Sequence, residues 1–202
     1  IGDWSSDVCS SDLLDRIELN VIPLDGAFDL GPFSFRYVPL AHSIAEGNAL
    51  LIETPFGRIF HTGDWKLDDE PLIGDPATEA ALRAIADEGV LALVCDSTNV
   101  FNQEASGSEG AVREGLLDVV RAATGRVVVT TFASNVARLK TLGDVARACG
   151  RKLCLAGRSL DRIVDVAKAN GYLHDLPPLI DWDRAMDLPG REVMIEIGRA
   201  HV

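Results

Sequence analysis

The sequence predicts an α/β fold in two parts, a first half rich in β-hairpins and a second half in which strands and helices alternate. In the first half, short stretches of alternating apolar and polar residues are joined by tight turns. Beyond about residue 105, apolar runs of strand length alternate with segments of helical spacing, as in a parallel sheet. With 202 residues, 47% of them hydrophobic, the chain is long enough for one domain or for parts of two.

Hairpin signals dominate the first half. Phe33, Phe35 and Tyr37 share one face of an alternating segment, and residues 54–57 have the composition of a hairpin turn. The unbroken apolar run at 90–95 is typical of a strand buried on both faces. The predicted strands are 17–22, 33–40, 49–53, 58–61 and 90–95, with a helix over 78–88 that Gly89 ends.

The second half alternates regularly. Ser108 is placed to begin a helix that runs to about residue 123, with Ala111 at the distance of a cap. The run at 126–131 predicts a second buried strand. A helix over 134–149, a strand over 152–156 and a helix over 160–170, ended by Gly171, complete the pattern.

Composition limits the class of protein. No apolar run reaches the roughly 18 residues of a membrane span, and the four cysteines are scattered, as free thiols in a reducing compartment would be. We therefore expect a cytoplasmic protein without a membrane partner. The net charge of −12 argues against broad electrostatic binding of nucleic acid, but bound metal ions can supply positive charge where a phosphate sits.

The two ends of the chain are related through DNA. Residues 7–13 can be coded by GACGTGTGCTCTTCCGATCT, and the reverse complement of that stretch, read after a G, encodes residues 196–202. This relation resembles a sequencing-library adapter translated at both ends. We expect residues 1–13 and 196–202 to be non-native and exclude them from fold reasoning; a genuine polar tail and a genuine final strand are the alternative.

Three short motifs follow predicted strands, where α/β proteins place their sites. They contribute His42, Asp64 and Asp96, an imidazole and two carboxylates that suit zinc or manganese and a two-metal site for phosphoryl chemistry. Singly each signal is weak, because a lone histidine is commonly structural and an aspartate after a strand is often a turn residue. The order of the motifs along the chain carries more weight: His-Ser-Ile at 42–44, His-Thr-Gly-Asp-Trp-Lys at 61–66, Asp-Ser-Thr-Asn at 96–99, Thr-Phe-Ala-Ser-Asn at 131–135, Gly-Arg-Lys at 150–152 and Gly-Arg-Ser at 157–159.

This ordered set resembles the bacterial ribonuclease J family of the metallo-β-lactamase fold and β-CASP group, over nearly all of residues 14–195. The resemblance implies an incomplete metallo-β-lactamase αββα sandwich over 14–105 followed by part of a β-CASP α/β domain over 106–195. By this resemblance His42 is a metal ligand, Asp64 a catalytic metal-bridging carboxylate, and Asp96 a catalytic-site group that orients ligands. His61 is interpreted as structural. The family's His-x-His-x-Asp-His signature and its later histidines are absent, so we expect this chain alone to be inactive.

A further motif, at Ser134 and Asn135, opens a predicted helix. The free N–H groups of a helix start, with these two side chains, can hold an RNA phosphate, and Val136 and Arg138 lie within reach. An ordinary Ser/Asn helix cap is the alternative from the residues alone. The resemblance favours substrate contact.

The resemblance implies a ribonuclease, 5′-exonucleolytic and endonucleolytic, that acts in RNA maturation and decay. It implies two Zn²⁺ ions (Mn²⁺ or Mg²⁺ in their place), RNA as partner and a homo-oligomer when full length. Two alternatives stay open. One is a related metallo-hydrolase acting on DNA or a small ester; the other is a non-catalytic RNA-processing subunit. The flanking sequence distinguishes them.

Overall fold

The computed structural model describes residues 18, 20–74, 79–103 and 106–199. These residues form nine strands, arranged in two sheets, and five α-helices. The strands are β1 (Ala27–Leu30), β2 (Phe33–Pro39), β3 (Asn48–Thr54), β4 (Gly57–His61), β5 (Ala92–Val94), β6 (Val127–Phe132), β7 (Lys152–Ala156), β8 (Leu179–Ile180) and β9 (Val193–Arg199). The helices are α1 (Glu79–Asp87), α2 (Glu109–Ala122), α3 (Val136–Ala148), α4 (Arg158–Ala169) and α5 (Trp182–Asp187).

The first sheet has the order β1-β2-β3-β4-β5, antiparallel up to β4, with β5 parallel to β4. The predicted hairpin between β3 and β4 is confirmed. Thr54 closes its turn, because its Oγ1 donates to the Gly57 carbonyl at 2.7 Å and accepts from the Phe56 amide at 3.1 Å. The strand predicted at 17–22 lies partly outside the described residues, and residues 20–22 are not in a strand.

Two strands predicted to be buried on both faces are not: β5 is exposed at all three residues, and β6 is exposed on one face. Leu93 in β5 is 63% exposed and Val128 in β6 is 53% exposed. Each is an edge strand among the described residues, paired on one side only, β5 with β4 and β6 with β9. An apolar run indicates a strand of a parallel sheet but not its place in the strand order, which is why the burial prediction was wrong.

The second sheet has the order β6-β9-β7-β8 with every pair parallel, which confirms the α/β character of the second half. Its core packs α3 against β7 and β9 through Leu142, Leu153 and Met194, all fully buried. Strand β9 runs across the predicted junction at residue 195 and pairs with β6 as far as Arg199. The non-native origin of 196–202 stays a prediction.

Helix ends follow the sequence signals. Ser108 caps α2, its hydroxyl accepting from the Ala111 amide at 2.9 Å, as predicted. Helix α3 begins two residues later than predicted because Asn135 is its cap residue. Within the described part of the chain, no helix has the length and apolar character needed to cross a bilayer. Cys95, Cys149 and Cys154 are free thiols, while Cys9 lies outside the described residues.

A buried carboxylate interrupts the second core. Glu196 in β9 is fully buried; one carboxyl oxygen accepts from the Thr131 hydroxyl at 2.5 Å, and the other has no partner among the described residues. Burial raises the pKa of Glu196 to about 7, against the lowering effects of the Thr131 hydrogen bond and of the Arg138 charge. A carboxylate at a core position is costly, so Glu196 is a group whose ionisation should affect stability.

We predict that the free energy of unfolding of the 202-residue chain falls as the pH rises from about 4.5 to about 7. In that window the folded chain holds the Glu196 proton and the unfolded chain does not. Raising the pH therefore lowers the free energy of unfolding, by about 3 kcal/mol across the whole window. Glu196→Gln should abolish this fall, because an amide does not titrate. Urea denaturation at pH 5 and pH 8 measures the difference. Glu192→Gln, a change at an exposed carboxylate, is the control. An equal pH dependence in wild type and Glu196→Gln contradicts the prediction.

Candidate metal and phosphate site

The loops that carry His42, Asp64 and Asp96 emerge from one edge of the first sheet. Strands β2 and β4 are both antiparallel to β3, and β5 is parallel to β4, so β2, β4 and β5 run in the same direction. Their carboxyl ends therefore meet at the same edge, and the three residues follow those ends. The topology thus places the three predicted residues on loops at the same edge of the sheet. The apolar and polar alternation of a single strand does not reveal this proximity, because it depends on the directions of several strands.

Thr62 connects two of these loops. Its amide donates to the Val94 carbonyl at 2.9 Å, and its Oγ1 accepts from the Asp96 amide at 3.1 Å. The side chain is 2% exposed. Sequence reasoning missed this residue, although its position between His61 and Gly63 in the second motif was a usable signal. Thr62 fixes the start of the Asp96 loop against the end of β4.

Asp96 is held in a local turn beside His42. Its Oδ1 accepts from the Thr98 hydroxyl at 2.6 Å and from the Thr98 amide at 2.9 Å. These two bonds, the hydroxyl first, hold the pKa of Asp96 below its ordinary value, and the nearby charge of His42 lowers it further. The carboxylate is therefore ionised at neutral pH and close enough to the imidazole to interact with it electrostatically.

The histidines have different surroundings. His42 is half-buried, and its Nδ1 lies 3.2 Å from the Ser43 hydroxyl. His61 is exposed, and its Nδ1 accepts from the Gly63 amide at 3.2 Å, a contact within its own loop. Asp64 is exposed at the same strand end. The ring of His61 is thus engaged in its own turn, and its structural role stays a prediction.

Metal chemistry needs more than these groups provide. His42 and Asp64 offer the imidazole nitrogen and carboxylate oxygen that zinc and manganese accept. Among the described residues, however, no three His, Cys, Asp or Glu side chains are grouped so as to hold an ion. The donor types fit a divalent metal, and the described residues do not by themselves complete a site for one.

The start of α3 is a capped helix that touches the first half of the chain. Asn135 Oδ1 accepts from the Arg138 amide at 2.9 Å, so the residue acts as a helix cap. The Val136 amide donates to the Ser43 carbonyl at 3.0 Å, beside His42. Ser134 precedes the cap and is half-buried or more, like its neighbours. The predicted phosphate motif and the predicted metal motif are therefore adjacent in space.

Arg138 belongs to a partly buried network of ion pairs. Its Nε and Nη2 donate to the two carboxyl oxygens of Glu109, each at 3.3 Å. Lys66 Nζ lies 3.4 Å from Glu109 Oε1 and 2.7 Å from Asp68 Oδ2. Burial alone would raise the pKa of Asp68, but the Lys66 hydrogen bond and the amides of Glu109 and Glu70 outweigh it and lower the pKa. Sequence reasoning placed Arg138 at a phosphate and did not foresee this network.

An apolar cavity of about 400 Å³ lies between the first sheet and α1. Its wall offers little to a phosphate, because no charged side chain lines it and only Thr62, Cys95 and the Trp65 indole carry polar atoms. The lining residues are Leu40, Phe60, Thr62, Trp65, Leu82, Ala86, Val90, Leu93 and Cys95.

Comparison with known proteins gives consistent results. The family described as "Ribonuclease J, beta-CASP domain" matches residues 124–198, three residues past the predicted junction. The chain is 41% identical over 180 residues to Ribonuclease J of Sinorhizobium meliloti, covering 89% of this chain and 32% of that protein. It is 36% identical over 163 residues to Ribonuclease J of Thermus thermophilus, covering 81% and 28%. The chain thus spans about a third of the length of these relatives.

Among solved structures, a protein of unknown function from Enterococcus faecalis V583 aligns with a TM-score of 0.62 over 90% of this chain and 45% of that one. At 17% identity the likeness concerns the fold alone. It agrees with the mixed α/β architecture described above.

Proposed function

Because the chain belongs to the ribonuclease J family of β-CASP proteins with the metallo-β-lactamase fold, we propose that its parent protein hydrolyses RNA phosphodiester bonds. One observation carries the proposal: the loops bearing His42, Asp64 and Asp96 share one sheet edge, and the start of α3 lies against the first of them. A metal-ligand loop and a phosphate-binding helix start are the two parts that metal-assisted phosphodiester hydrolysis requires.

The roles divide by chemistry. His42 and Asp64 contribute metal ligands, and a two-ion site needs further ligands besides these two. Divalent ions, Zn²⁺ or Mn²⁺, would activate water and stabilise charge on the phosphate. Asp96, ionised and fixed by Thr98, orients His42. These assignments rest on the placement of the loops and on the donor types.

The phosphate role falls to the start of α3. Ser134 and Asn135 stand at the positive end of the helix dipole, which favours an anion on a chain whose net charge is −12. The Val136 amide donates to Ser43, and the guanidinium of Arg138 is bound to Glu109. We therefore assign Val136 and Arg138 to holding the helix start in place for the phosphate.

The domain division belongs to the same proposal. Residues 14–105 contain the first sheet and α1, and residues 106–195 contain α2 to α5 and nearly all of the second sheet. We assign the first segment to the metallo-β-lactamase domain and the second to the β-CASP domain, with 1–13 and 196–202 as adapter-derived. Homo-oligomerisation of the full-length protein and its place in the cytoplasm stay predictions.

Hydrolysis of a 5′-monophosphorylated RNA oligonucleotide by the full-length protein, with Zn²⁺ or Mn²⁺ added after chelation, tests the function. Metal-dependent release of nucleotides or shorter RNA is expected. A full-length protein that binds metal and leaves RNA intact would refute the proposal.

We predict that Ser134→Ala combined with Asn135→Ala raises the KM for this RNA roughly tenfold or more, with bound metal unchanged. The reason is the loss of charge-assisted hydrogen bonds to a phosphate: one such bond, worth about 1.5–3 kcal/mol, already accounts for roughly tenfold, and loss of two would exceed it. Thr98→Val is the comparison variant, because it alters the Asp96 loop in the proposed metal part of the site and leaves α3 unchanged. It separates an effect on the metal from an effect on phosphate binding. If the double variant has wild-type KM and only a lower melting temperature, Ser134 and Asn135 are a helix cap and no more.

A further inference from the structure

Four segments of the chain are joined in a closed ring of contacts. The Lys66 amide donates to the Ala41 carbonyl at 2.9 Å, which ties the loop after β4 to the loop carrying His42. The Val136 amide donates to the Ser43 carbonyl at 3.0 Å, which ties that second loop to α3. The remaining link, from α3 back to the loop after β4, runs through Glu109 on α2.

Glu109 makes this link through both its side-chain carboxylate and its backbone amide. Its carboxylate receives Arg138 from α3 and Lys66 from the loop after β4, and its amide donates to Asp68 Oδ2 at 3.1 Å. The residue is 6% exposed and Asp68 is 4% exposed. Two cations and two carboxylates balance in charge, so removing the Glu109 charge leaves two partly buried cations facing one carboxylate.

The start of α2 is fixed on the same loop by close packing. The Gly110 amide donates to the Glu70 carbonyl at 3.3 Å. The Glu70 side chain also lies directly over Gly110, since a Cβ there would come within 2.1 Å of Glu70 Oε2 and 3.2 Å of Glu70 Cβ. The start of α2 is therefore held on the loop after β4 by two backbone amides, those of Glu109 and Gly110, in addition to the Glu109 carboxylate.

We propose that Glu109 is a positioning residue that sets the loop of Asp64 and the start of α3 at a fixed distance from each other. The assignment rests on the proposed function, in which these two segments hold the metal and the scissile phosphate. Loss of the Glu109 charge should misplace both segments, so that kcat falls while KM rises. A residue that only stabilised the fold would lower the melting temperature and leave these constants unchanged at temperatures well below the transition.

The experiment uses the full-length protein with Glu109→Gln, and with Arg138→Lys as a milder change that keeps the charge and loses the two-point contact. Kinetics on 5′-monophosphorylated RNA is one readout. Hydrogen exchange at the Lys66 and Val136 amides is the second, because these amides close the ring and report on it without RNA or metal. We expect kcat/KM to fall about tenfold or more and protection of these two amides to fall about tenfold, with the amides of β7 unchanged. Glu114→Gln, an exposed ion-pair partner on the same helix, is the matched control and should change neither.

The outcomes are separable. Wild-type kinetics and wild-type protection in Glu109→Gln overturn the inference, and so does an equal loss of protection throughout the chain, which marks a global destabiliser. A wild-type protein that fails to hydrolyse RNA refutes the proposed function instead, and the two amides alone then decide whether Glu109 couples the segments.

Discussion

Asp64→Asn is expected to abolish RNA hydrolysis by the full-length protein, with a loss of at least roughly a hundredfold, and to lower bound metal. The substitution keeps the shape of the side chain and removes one negative charge at an exposed position beyond β4. Because the Asp64 carboxylate makes no hydrogen bond or ion pair with the residues that the structure describes, the melting temperature of the metal-free protein should stay within a degree or two of wild type.

Metal content by elemental analysis, RNA cleavage and thermal unfolding together measure this prediction. Asp69→Asn is the matched control, an exposed aspartate five residues further along the same segment. Asp69→Asn should retain both metal and activity. Full metal occupancy with wild-type cleavage in Asp64→Asn would remove Asp64 from the metal site, and a loss of stability without loss of metal would give it a structural role.

Local signals in the sequence predicted local structure well. The hairpin between β3 and β4 was readable from alternation on each side of a turn, and the predicted strand at 152–156 coincides with β7. The cap at Ser108 was readable from its spacing to the first turn of α2. In these cases the residues that decide the structure are close neighbours in the chain.

Features that depend on distant residues were not predictable. The four elements missed, β1, β8, α5 and β9, are short or lie beside the predicted junction. The insertion of β9 between β6 and β7 is a property of the whole sheet, and it leaves β6 at an edge where burial was expected. From the sequence, Glu109 could be predicted only to lie at the start of a helix. Its contacts with Lys66 and Arg138 could not be predicted, because these partners lie 43 and 29 residues away along the chain. The three site loops were identified from motif order, but their common edge follows from strand directions.

Arg151 presents the largest expected effect on stability in the second half. The side chain is 6% exposed, and its guanidinium donates to the backbone carbonyls of five residues. The bonds span 2.6 to 3.5 Å and join the end of α2 to the start of β9. The acceptors are the carbonyls of Val120, Ala123, Gly125, Gly190 and Val193.

Arg151→Met is therefore expected to lower the free energy of unfolding by about 4 kcal/mol or more, enough to leave a marginal domain largely unfolded. Methionine fills a similar volume but donates no hydrogen bond. The Val120 and Gly190 carbonyls keep a backbone amide donor, whereas the other acceptors lose the guanidinium at about 1–3 kcal/mol each. Arg151→Lys should recover part of the loss, because an ammonium has three donors in place of the planar fork. Urea denaturation of the 202-residue chain measures all three proteins.

The matched control is Arg126→Met. Arg126 also donates to backbone carbonyls, those of Ala185, Met186 and Leu188 at the end of α5, but it does so from an exposed position where water can replace it. We expect a loss of about 1 kcal/mol or less there, the size of a cation at a helix end. Equal losses at Arg126 and Arg151 would show that burial of the carbonyls is not what makes Arg151 important. A loss at Arg151 below about 1 kcal/mol would mean that the five carbonyls find other donors once the guanidinium is gone.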